Sequence, residues 1–192
     1  MDAFPTPPPG YQSAIPFQYP IKRLQIAAIA LLIALIPALT WLAWLFHDRN
    51  LPDLFGRGWW DSAVMLITFL IVIPVHELVH GLTYHLLGYK VTYGVKLSLG
   101  AAYAAAFGQF QKRSDNLITA LTPLLLLTPL LLTVLALADG WLALAAFTGL
   151  LFNTSGAVGD VYLSWRLLRL PPDALLHDVD PATMLIFLPH HT

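Results

Sequence analysis

A chain of 192 residues is long enough for one domain, and this one is 57% hydrophobic and only 11% charged, against about 25% charged for an ordinary soluble domain. So little charge cannot cover a water-facing surface, which points to lipid as the solvent, and a formal net charge of -1 gives no footing for a nucleic-acid partner. The absence of cysteine excludes disulfides, thiolate metal ligands and cysteine nucleophiles.

Residues 1–23, opening MDAFPTPPPGYQSAIPFQYP, are proline-rich and lack the basic stretch before an apolar run that marks a cleavable signal peptide. They read as a flexible, partly extended cytoplasmic tail. Apolar segments follow at 24–46, 62–87, 117–138 and 141–168. Each exceeds the ~20 residues needed to cross a hydrocarbon core of ~30 Å. Pro37, Pro74, Pro123 and Pro129 fall inside these segments and would kink them, which membrane helices tolerate. The last two segments are joined by little more than Asp139–Gly140, a tight helical hairpin with glycine where a left-handed backbone is wanted.

Between the second and third segments, YKVTYGVKL alternates and is rich in β-branched residues. Gly100, an alanine run with Tyr103 and Phe107, and Gly108 follow, too interrupted for a fifth span and readable as a β-hairpin or re-entrant element. Residues 169–192 begin with Pro171–Pro172, carry Asp173, Asp178 and Asp180, and read as a cytoplasmic tail. The expected fold is therefore an all-α membrane protein: a four-span domain over 24–168 with one short β or re-entrant element. With four spans, Lys22, Arg23, Lys90, Lys96, Lys112, Arg113, Arg166 and Arg169 fall on one side, and Arg49 and Arg57 on the other. The positive-inside rule then puts both termini in the cytoplasm, as for a multi-pass protein of the cell (inner) membrane.

The second segment contains HELVH at 76–80. On a helix, His76 and His80 share a face, where two neutral imidazoles one turn apart can bind one zinc ion. Glu77 lies beside that face and can take a proton from a water that zinc acidifies, the HExxH arrangement of metalloproteases. An accidental match in a chain of this composition is expected roughly once in a thousand. Each ionisable group deep in a bilayer costs about 2.5–3.5 kcal/mol on the insertion scale. Glu77 is also the only glutamate in the chain.

A zinc site with an open position needs a third protein ligand. No second glutamate exists, His85 lies about half a turn off the His76 face, and Asp139 stands at the outer end of its span. Asp160, in GLLFNTSGAVGDVYLSW, is the remaining intramembrane carboxylate. At 1.5 Å per residue it agrees in depth with the histidines to within roughly 5 Å. Asn153 and Gly156 fall on its helical face, with Gly159 adjacent, so small residues there would let another helix or a substrate backbone come close. Asn153 could hold a substrate strand, or with Thr154 and Ser155 simply join helices. Tyr84, one turn past His80, could point at the site or anchor at the membrane interface. His47, His177, His190 and His191 lie outside the spans and suggest no metal site.

At HELVH in one span and NTSGAVGD in a later one, the chain resembles the site-2-protease-like intramembrane zinc metalloproteases. It resembles more closely a bacterial domain family of unknown function described as "putative zincin peptidases". The resemblance covers about 24–168. It implies His76, His80 and Asp160 as zinc ligands, Glu77 as catalytic base, and a substrate-pairing β element within 88–110. Unlike the usual site-2 pattern, no proline separates Asn153 from Asp160, and Val161 rather than glycine follows the aspartate.

The expectation is thus an intramembrane zinc metalloprotease that hydrolyses membrane protein or peptide substrates in the lipid bilayer. One rival reading is a non-proteolytic membrane protein that keeps a structural metal or scaffolds membrane partners, although a structural metal has no use for a base such as Glu77. Another is a metal transporter, which would need polar residues through the full membrane depth. The first and third spans carry no charge.

Overall fold

A computed structural model describes residues 5–47 and 55–190. Arg49 and His191 lie outside the described residues. The helices are α1 (Ile21–Phe46), α2 (Trp59–Leu86), α3 (Arg113–Leu137), α4 (Gly140–Gly156) and α5 (Val158–Leu167). The strands are β1 (Ile15–Gln18), β2 (Thr92–Lys96), β3 (Ala101–Ala105), β4 (Phe110–Lys112), β5 (Leu175–Asp180) and β6 (Thr183–Phe187). α1, α2, α3 and the α4–α5 pair are each long and apolar enough to cross a membrane. Their outer faces carry Ile26, Ile29, Ile33, Leu66, Leu70, Leu125 and Leu130 well exposed. The helices run through Pro37, Pro74, Pro123 and Pro129 without ending.

The expectation of an all-α fold is corrected: the chain is mostly helical but carries six strands among the described residues. The contacts divide the chain into two compact units, one from residues 22–76 and 123–159, the other from residues 1–21, 77–122 and 160–192.

In the first unit, Leu39, Ala43, Leu135, Ala143, Ala146, Phe147, Leu150 and Leu151 form a buried cluster. Alanines in this cluster let the helix backbones approach closely. Gly149 belongs to this pattern, because a Cβ there would come 3.1 Å from Leu131 Cδ2. The α3–α4 turn uses Gly140 at φ 62°, as its left-handed backbone requires. His47 spans two acceptors, with Nδ1 3.0 Å from Asp139 Oδ1 and Nε2 2.9 Å from the Leu135 carbonyl.

The second unit holds the β structure. β1, β6, β5 and β4 form an antiparallel sheet in that order. Its buried face packs Phe17, Leu176, Met184 and Ile186 against Ala120 of α3 and Leu163 and Leu167 of α5. Residues 15–18, expected in a flexible tail, and residues 175–180 and 183–187, expected in a cytoplasmic tail, are therefore strands. Prolines beside a four-residue strand mask any periodic signal, and pairing of β1 with β6 joins opposite ends of the chain. Pro16 is tolerated because β1 is an edge strand. A hairpin between α2 and α3 is present, with β2 and β3 in register at Gly94 and Tyr103. The phenol of Tyr93 occupies the space that a Cβ on Gly81 would need, so the hairpin docks on α2 at the residue after His80.

A buried polar chain ties the sheet to the helices. Tyr84 Oη donates to Asn116 Oδ1 at 3.2 Å. Asn116 Nδ2 donates to Gln111 Oε1 at 2.6 Å, and Gln111 Nε2 donates to Asp178 Oδ2 at 2.8 Å. Burial pushes the Asp178 carboxyl above its usual range, although the Gln111 bond works in the other direction.

Candidate metal centre

α2 presents His76 and His80 one turn apart, 8% and 7% exposed, while Leu78 and Leu82 face outward on the same helix. Glu77 is half-buried beside them, and His85 is exposed on another face. Each imidazole is fixed from behind. His76 Nδ1 lies 3.0 Å from Asn153 Oδ1, and His80 Nδ1 lies 2.9 Å from the Thr119 carbonyl oxygen. Both oxygens can only accept, so each Nδ1 carries the proton and donates it. In the neutral ring the lone pair is then on Nε2 in both residues.

Asp160 arrives through a break in the last long apolar segment. The expected continuous helix over 141–168 is interrupted at Ala157, whose N–H reaches the carbonyls of Asn153 and Ser155. α5 restarts at Val158, which puts Asp160 in its first turn, where a carboxylate is favoured by the exposed backbone N–H groups. Asp160 Oδ1 stands 3.4 Å from His80 Nε2. One ligating atom from each of His76, His80 and Asp160 lies within 4.8 Å of the others. A zinc tetrahedron with bonds of about 2.0–2.1 Å has edges of about 3.4 Å. Two imidazole nitrogens and a carboxylate oxygen at this spacing suit a divalent cation in donor type and charge. The oxygen acceptors behind both histidines are the outer support that metal-bound imidazoles use. A tetrahedral ion held by these three ligands would keep one position for a water or substrate.

Asn153 is 1% exposed. Its Oδ1 meets His76 and its Nδ2 donates to Thr128 Oγ1 at 3.2 Å, so both ends of the amide are engaged inside the protein. A Cβ on Gly156 or Gly159 would meet no described atom within 4 Å, so no other helix of this chain packs closely there. Tyr84 directs its hydroxyl to Asn116. Thr119 is invisible to a search by residue type, since it acts through its backbone oxygen.

A family described as "putative zincin peptidase" matches residues 69–175, a stretch that holds HELVH, Asn153 and Asp160. An uncharacterized 24.7 kDa protein from the gap 5' region of Pyrococcus woesei is 28% identical over 123 residues, which are 63% of this chain and 53% of that protein. The match thus spans about half the length of that relative. No solved structure matches the chain.

Proposed function

Starting from the fact that the chain belongs to the "putative zincin peptidase" family, we propose that it is a multi-pass membrane zinc metallopeptidase of site-2-protease-like type. Its substrates are membrane proteins or membrane-associated peptides. His76, His80 and Asp160 hold one zinc ion. Zinc, when bound, supplies Lewis acidity, which makes a water more acidic and a peptide carbonyl more electrophilic. Glu77 takes the proton from the attacking water and returns it to the departing amine nitrogen. Asn153 holds His76 in its ligating tautomer, in place of the substrate-binding role that its sequence position suggests. The substrate backbone must be unwound locally, because helical hydrogen bonds shield the bond to be cut. The four apolar helices and the eight basic residues on one side support an inner-membrane location with both termini cytoplasmic.

The observation that carries this reading is the pairing of two buried imidazoles, each with Nδ1–H held by an oxygen, with a carboxylate 3.4 Å from His80 Nε2. The test compares detergent-purified wild type with Glu77→Gln for metal content and for cleavage of a panel of single-span membrane peptides. Both proteins retain about one zinc per chain and only wild type cleaves. A wild type without zinc in chelator-free buffer sinks the metal site. Cleavage by Glu77→Gln at the wild-type rate removes Glu77 as the base.

A further inference from the structure

The hydrogen bond behind His80 depends on a carbonyl that an uninterrupted α-helix would have consumed. In α3, the Thr119 oxygen would accept the N–H of the residue four positions on. That residue is Pro123, inside the helix, which has no N–H. A proline ring also crowds the carbonyl four residues earlier and tilts it outward. The oxygen so released is the one 2.9 Å from His80 Nδ1. Thr122 adds to the local rearrangement, its hydroxyl donating to the Ile118 carbonyl at 2.6 Å. Both Thr119 and His80 are buried, at 2% and 7% exposure, so solvent does not compete for the bond.

We infer that Pro123 is a positioning residue for the metal site: by withholding an N–H from Thr119, it dedicates that carbonyl to His80 and so holds the imidazole with its Nε2 toward Asp160. Pro123 acts through Thr119 and His80 and touches neither metal nor substrate. The inference rests on the metal site proposed above.

An alanine at 123 restores the donor. Its N–H competes with His80 Nδ1–H for the Thr119 oxygen, and a helix relieved of proline becomes more stable. The two consequences have opposite signs, which separates positioning from general support of the fold. Pro129 supplies the control. It lies in the same helix, and its missing N–H concerns the Leu125 carbonyl, on a residue 68% exposed to the outside.

The experiment measures zinc affinity by chelator competition, together with the thermal midpoint of the metal-free protein, for full-length wild type, Pro123→Ala and Pro129→Ala. Imidazole 15N resonances of the zinc-loaded proteins give the tautomer of His80. Pro123→Ala is expected to bind zinc about tenfold more weakly, with an equal or higher thermal midpoint and a changed His80 Nδ1 signal. Pro129→Ala keeps wild-type affinity and signal. Unchanged affinity and an unchanged Nδ1 signal in Pro123→Ala overturn the inference. Equal weakening in both variants does so as well, since it would report helix straightening alone. A wild type that binds no zinc instead refutes the metal site on which the inference rests.

Discussion

His80 Nε2 and Asp160 Oδ1 stand 3.4 Å apart, on helices separated in sequence by the hairpin, all of α3 and all of α4. A lone pair facing a carboxylate at that distance is unfavourable unless a proton or a cation lies between them. Removal of either partner should therefore abolish metal binding rather than trim it. His80→Ala and Asp160→Ala are expected to purify with far less than one zinc per chain, against about one in wild type, by elemental mass spectrometry. Zinc retained at full occupancy in Asp160→Ala would unseat Asp160 as a ligand.

Asn153 gives a different signature. With its oxygen on His76 Nδ1 and its amide on Thr128, Asn153→Ala leaves a histidine free to rotate and to change tautomer. Zinc affinity should fall about 10- to 100-fold, as read by titration against a chelating dye. Were Asn153 instead a substrate contact, affinity would hold and KM would rise.

Gly81→Ala tests how the hairpin is attached. The new methyl group occupies the place of the Tyr93 phenol, so the Tyr93 side chain must swing away from α2 and give up its seat there. Overpacking of this kind costs about 1–3 kcal/mol. The expected result is a lower thermal midpoint and faster proteolysis within residues 88–110. Since Tyr93 is half-exposed and able to leave, Gly81→Ala with Tyr93→Ala should recover most of the loss. A double variant as unstable as Gly81→Ala alone would mean that the clash lies elsewhere.

Two aspartates of β5 respond to pH in opposite directions. Burial raises the Asp178 carboxyl. Between the unfolded value and the raised folded value the native state keeps a proton that the unfolded state has lost, so stability falls as pH rises through that window. Asp180 is lowered: its slight burial pushes upward, but the Ala182 N–H, Thr183 and Lys96, 3.6 Å away, outweigh it. Its contribution is present above the ordinary carboxylate range and is lost as pH falls through the folded value. Thermal midpoints from pH 3 to pH 8 should show that Asp178→Asn flattens the decline on the neutral side. Asp180→Ala should lower the midpoint near neutrality and converge with wild type at the acid end. A constant offset for either variant across the range would contradict the assignment.

Much of this protein is legible along the chain because segment length and apolar content are one-dimensional properties. A helix needs about 20 apolar residues to cross hydrocarbon, and the four helices that meet this measure can be read off the sequence to within a few residues. The HELVH spacing puts two imidazoles on one helical face by geometry that a single helix supplies, and the scarcity of carboxylates within the apolar segments points to Asp160. What the sequence could not decide depends on distant partners. β1 and β6 are short, flanked by prolines and turns, and exist because they pair with each other from opposite ends of the chain. The break at Ala157, which starts α5 just before Asp160, leaves no sequence mark stronger than a pair of glycines. Asn153 has the composition of a substrate contact or of helix glue, and only the fold turns its oxygen to His76. Pro123 looks from the sequence like one more tolerated kink. Its consequence, a released carbonyl, acquires chemical meaning only because tertiary packing sets His80 against that oxygen.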